Sequence, residues 1–135
     1  MNPERLTVRA MSLMWNEAIR RGQPLPRWTL GDFVDDFRLR CTTNEAKMAL
    51  VREEPAWVEA ASEANCNAYW AAMVEMLCRE AGLKAPDWTE SSRCYLHRPW
   101  FAGGLENLKA VLLVESPVAF RRRNLFVSAN VLVRA

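Results

Sequence analysis

Glycine is scarce in this chain, with five among 135 residues. That excludes a sandwich or barrel built on many tight turns, and plentiful Ala, Glu, Leu and Arg favour helices instead. Histidine is scarcer still: His97 is the single instance. No apolar run approaches the ~20 residues that span a bilayer. The start, Met1-Asn2-Pro3-Glu4-Arg5, lacks the basic head and apolar core of a secretory leader. A cytoplasmic protein with no membrane role is the expectation. Also missing are a CxxC pair, a GxSxG elbow, a glycine-rich phosphate loop and an HExxH helix. Without them, nucleophilic catalysis, nucleotide cradling and zinc-protease chemistry have no support, and neither an enzyme nor a cofactor is expected.

Half of the residues are apolar and a quarter charged, enough for one core over residues 1–135. The four cysteines, Cys41, Cys66, Cys78 and Cys94, are widely spaced and read as reduced and mostly buried. Cys94-x-x-His97 could offer two zinc ligands, but a structural site needs four. Cys66 and Cys78 on one helix would lie ~18 Å apart, so no second pair exists. His97 as a general base would need an orienting partner, and the spacing offers none. Asp35-Asp36 and Glu53-Glu54 are neighbours in sequence. On a helix they point ~100° apart and read as solvated charges rather than an acid–base pair.

The pattern predicts an all-α, single-domain bundle of about five to six helices around one long central helix. The first starts at an Asn2-Pro3 cap and stops at Arg20-Arg21-Gly22, with Leu6, Ala10, Leu13, Met14 and Glu17 along one stripe. Gln23-Pro24-Leu25-Pro26 is an extended linker. Thr29-Leu30-Gly31-Asp32 reads as a capping box, followed inward by Leu30, Phe33, Val34 and Phe37. Thr42-Thr43-Asn44 restarts a helix that buries Ala46, Leu50 and Val51. The longest element runs from Pro55 to Gly82, ~40 Å of helix; its alanines suit core packing or, alternatively, a homodimer seam. After a short helical piece ending near Tyr95-Leu96 and an aromatic loop at 97–104, Leu105, Leu108, Val111 and Leu112 mark another helix. Ser116-Pro117 restarts a short one, Asn124 is a left-handed cap, and Leu125-Phe126-Val127 is β-prone. The six tryptophans are core residues in the main.

Charge is unevenly spread. Residues 1–90 carry 11 basic and 14 acidic side chains, whereas 91–135 carry 7 and 2. The basic third contains Arg121-Arg122-Arg123, between Phe120 and Leu125-Phe126. Three guanidinium forks in one helical turn suit phosphate or carboxylate; equally, one or two could pair with acids of the long helix. Arg98, Arg121, Arg122, Arg123 and Arg134 are the candidate residues for a protein or nucleic-acid partner. The helix pair over 29–63 invites a helix-turn-helix reading, but its surplus of acid would repel phosphates.

Ala85-Pro86-Asp87-Trp88, His97-Arg98-Pro99-Trp100-Phe101 and Glu115 through Val127 together resemble a tail of small actinobacterial proteins. It is similar to the C-terminal portion of Xre-type regulators encoded beside nucleotidyltransferase-like toxins of the abortive-infection type. The match covers about 85–135, with 55–84 looser, and residues 1–54 lack an Xre domain. The resemblance implies an antitoxin-like, non-catalytic protein-binding module with a toxin-like partner. The alternative is a nucleic-acid-binding transcriptional regulator that uses the C-terminal arginines.

Overall fold

In a computed structural model, which describes residues 5–102 and 115–133, the chain is predominantly α-helical. Helix α1 is Val8–Arg20, α2 is Trp28–Asp35, and α2 runs on into a wider π turn at Asp36–Arg40. Helix α3 is Asn44–Val51, α4 is Asn65–Glu80 and α5 is Val118–Arg121. Single 3-10 turns occupy Ala61–Glu63, Asp87–Glu90 and Ser92–Cys94. Strands β1 (Trp100–Phe101) and β2 (Leu125–Phe126) form a parallel ribbon in the register Trp100↔Leu125, Phe101↔Phe126.

Helix α1 starts later than its sequence suggests. Thr7 caps it, its Oγ1 accepting from Ala10 N at 3.0 Å, while Leu6 N donates to Asp36 Oδ2 at 3.1 Å in non-helical chain. Asn2-Pro3 lies outside the described residues. Gly22 stops the helix at φ 64°, a left-handed angle that costs glycine little. The buried stripe is Val8, Met11, Trp15 and Ala18, not the Leu6–Leu13–Met14 stripe, and Leu13 is 52% exposed. Trp15 sets that rotation. Its indole N–H donates to Thr29 Oγ1 at 2.8 Å and its ring meets Trp70 edge-on at 5.6 Å.

That hydrogen bond also overturns the capping box at Thr29. The hydroxyl donates to Pro26 O, and α2 begins at Trp28 without a side-chain cap. Helix α3 restarts where expected, with Thr43 Oγ1 accepting from Ala46 N.

The central helix is shorter than its periodicity suggests. Residues 55–60 are in no helix, and α4 starts only at Asn65. Asn67, itself buried, holds this non-helical segment through the N–H and C=O of one residue, Val58. Its Oδ1 accepts from Val58 N and its Nδ2 donates to Val58 O, each at 2.9 Å. From Cys66 to Cys78, α4 is buried on nearly every side, as befits the bundle's axis. Ala68, Ala71 and Ala72 have no exposed surface within this chain, so they form no seam for a second copy. No helix among the described residues is long and apolar enough to cross a membrane. The expected helix through Leu105, Leu108, Val111 and Leu112 lies outside the described residues.

Candidate functional site

Helix geometry divides the arginine run. Successive residues point ~100° apart, so with Phe120 in the core one of the three arginines must turn inward. Arg123 does, with no exposed surface. Its Nη1 donates to Ala119 O at 2.7 Å and its Nη2 to Thr89 O at 3.0 Å, while Nη2 lies 2.9 Å from Glu75 Oε1. Its Nε is buried with no hydrogen-bond partner. Arg122 reaches the same carboxylate through Nε at 3.0 Å and Nη2 at 2.6 Å, and also pairs with Glu90. Tyr95 closes the cluster. Its hydroxyl accepts from Arg122 Nη1 at 2.5 Å and donates to Glu90, and both guanidinium groups lie over its ring.

Glu75, on α4, is the centre of this network. Burial raises the pKa of its carboxyl, but the hydrogen bond from Arg122 and the charge of Arg123 outweigh that and hold it below its ordinary value. The hydrogen bond from Tyr95, opposed by partial burial and helped by Arg122, lowers that of Glu90. Arg122 and Arg123 are therefore occupied in joining α5 to α4, and Arg123 offers no surface to a partner. Arg121 is exposed, and Arg134 lies outside the described residues.

The same run frames a different feature. Arg123 O accepts from Leu96 N at 3.3 Å, Asn124 Nδ2 donates to Leu96 O at 2.8 Å, and Asn124 O accepts from Trp100 N at 2.8 Å. Asn124 makes both contacts because it holds the left-handed angle, φ 65°. These bonds fix the 95–100 loop, which forms one wall of an open cleft of about 530 Å³. The cleft is lined as well by Val58 and Glu59, by Ser62 of the 3-10 turn, and by Asn65 and Asn67 of the first turn of α4. The volume falls in the ~300–1,000 Å³ range of ligand sites.

The lining is mixed. Val58, Leu96, Pro99 and Trp100 are apolar; Arg93, His97 and Arg98 supply nitrogen donors; Glu59 is the one carboxylate. Arg93 Nη1 donates to Glu59 Oε1 at 2.6 Å while its guanidinium lies 6.0 Å from the centre of the Trp57 ring. Arg98 and His97 are exposed and, among the described residues, take no hydrogen-bond or ion-pair partner. Of the arginines singled out from sequence that lie among the described residues, Arg98 alone lines this cleft; the structure does not bring it together with Arg121, Arg122 or Arg123 in one lining. Arg93 was missed. Its one sequence signal is its place in the basic third, and its pairing with Glu59 needs the fold.

Other chemistry has little to work with. All four cysteines are buried free thiols. Burial pushes Cys66 and Cys94 up to about 12 and Cys78 up to about 11, far from a reactive thiolate. Cys94 Sγ donates to Trp88 O while His97 points to the surface, so the two do not share a site. Among the described residues no three His, Cys, Asp or Glu side chains are grouped to hold a metal ion. Asp36 is structural, accepting from Leu6 N and, at 2.5 Å, from Arg40 Nη1. No protein-family model, curated protein or solved structure matches the chain.

Proposed function

We propose that this protein is a non-catalytic, cytoplasmic protein-binding module, antitoxin-like in role, that holds a nucleotidyltransferase-like partner. The observation that carries the reading is the 58–67/92–100 cleft. It is open, framed by backbone hydrogen bonds to Arg123 and Asn124 and by the Asn124 side chain, and lined by apolar and cationic side chains together. Interfaces of that composition suit aromatic and arginine anchors. His97 sits in the cleft with no hydrogen bond to Glu59, Ser62 or Ser92 to orient it, which favours recognition over acid–base work. The resemblance of 85–135 to tails of regulators encoded beside such toxins supplies the class of partner.

The test is co-expression of the tagged chain with the nucleotidyltransferase-like product of a neighbouring gene. A stable complex that survives size exclusion is expected, and separate elution of two folded proteins refutes the reading. A transcriptional regulator is the second reading, favoured by Arg98 and Trp100 sharing one lining as cation and stacking surface. It requires duplex or single-strand binding that weakens steeply with salt.

A further inference from the structure

We infer that the cleft receives a short acidic segment of a protein partner, with a carboxylate seated between Arg93 and Arg98 and an apolar neighbour against Trp100 and Pro99. This rests on the protein-binding reading above and names the chemistry of what is bound. Glu59 supports it from within the structure. The non-helical 55–60 segment already carries a carboxylate into the cleft, with Oε1 at 2.6 Å from Arg93 Nη1. Glu59 is 76% exposed and Arg93 47%, so their pair is weak and exchanges readily for an incoming acid.

Arg93 is also pre-set. Its guanidinium lies over Trp57, which meets Trp88 edge-on at 6.0 Å, and the Trp88 indole donates to Val51 O at 2.8 Å. A guanidinium held on a fixed ring loses less freedom on binding than a loose one. Arg98 adds a second fork with no internal acid among the described residues, and His97 adds a donor beside it. Among the described residues, one carboxylate against two guanidiniums leaves the cleft short of negative charge, and the missing charge is what a partner would bring. The apolar strip of Val58, Leu96, Pro99 and Trp100 gives the same segment a place for a non-polar side chain.

Fluorescence anisotropy with a labelled peptide of alternating glutamate and leucine tests this on the full chain. Saturable binding is expected that weakens about three- to tenfold in Arg98→Ala and again in Arg93→Ala. It should also weaken as salt rises from about 0.1 M to about 1 M, over which the screening length falls from ~10 to ~3 Å. Glu59→Gln should tighten binding by removing the internal competitor. The isosteric glutamine–leucine peptide should not bind. Each variant replaces an exposed side chain, and an unchanged melting curve confirms that it folds.

The inference is overturned if the acidic peptide fails to bind, binds Arg98→Ala equally well, or loses to an oligothymidylate at equal concentration. If the peptide fails while the co-expressed partner still co-elutes, only the acidic-segment inference falls. If both fail, the protein-binding reading falls with it.

Discussion

Glu75→Gln removes one negative charge and almost no volume from the centre of the arginine cluster. In the wild-type chain Glu75 is 6% exposed and its Oε1 receives Arg122 Nη2 at 2.6 Å and Arg123 Nη2 at 2.9 Å. The amide leaves Arg123 with no exposed surface and two carbonyl acceptors, plus Glu90 at 3.6 Å. Removing one partner of a buried ion pair costs ~3–5 kcal/mol, mostly because the surviving charge stays desolvated. Glu90 compensates in part, which places the expected loss near the lower end, at about 3 kcal/mol. For a chain of this length that corresponds to about 10 °C in Tm. Urea and thermal unfolding followed by circular dichroism measure it, with Arg121→Ala as the exposed control, expected within about 0.5 kcal/mol of wild type. Glu75→Met combined with Arg123→Leu should recover much of the loss, since no buried charge is then left unmatched. A Glu75→Gln variant within about 1 kcal/mol of wild type would falsify the view that this network holds α5 to α4.

Acid should reach the same network. Glu75 and Glu90 are held below the ordinary carboxylate value, so the folded state binds fewer protons than the unfolded one near that value. Their stabilisation is complete above the unfolded pKa of ~4.3 and fades as pH falls through the lower folded values. Denaturant midpoints should therefore be flat near neutrality and drop below about pH 4; in Glu75→Gln that drop should shrink. Asn67→Ala should release the 55–60 segment by removing both hydrogen bonds to Val58. A loss of about 2 kcal/mol is expected, with faster amide exchange at Val58. Unchanged protection there would show that another contact holds the segment.

The helical class was legible because several local signals agree with the fold. Gly22 and Gly82 take left-handed angles at helix ends, Thr43 caps α3, and Asn124 adopts the positive φ that its position suggests. The failures share a different cause: a polar side chain engaged by a residue outside its own helix. Asn67 takes up the N–H and C=O of Val58, in a segment whose apolar spacing continues the α4 pattern but which is not helical. Thr29 serves Trp15 rather than its own helix, and Trp15 turns the other face of α1 inward. The site was partly legible. The basic third does contain the cleft wall with Arg98, but a run of three identical residues cannot announce which of them faces the core. Only the position of Phe120 on the short α5 decides that Arg123 turns inward while Arg121 remains in solvent.

Glu75 also makes the burial of one face of α4 depend on the last part of the described chain. A carboxylate on α4 cannot leave water cheaply until a guanidinium is there to meet it. One guanidinium, Arg79, stands a single turn along α4, at 3.3 Å from Glu75 Oε2, while Arg122 and Arg123 lie 47 and 48 positions further along the chain. Arg79, largely exposed, can meet the carboxylate while α4 is still in water, whereas the buried pairing requires the 118–127 segment to be in place.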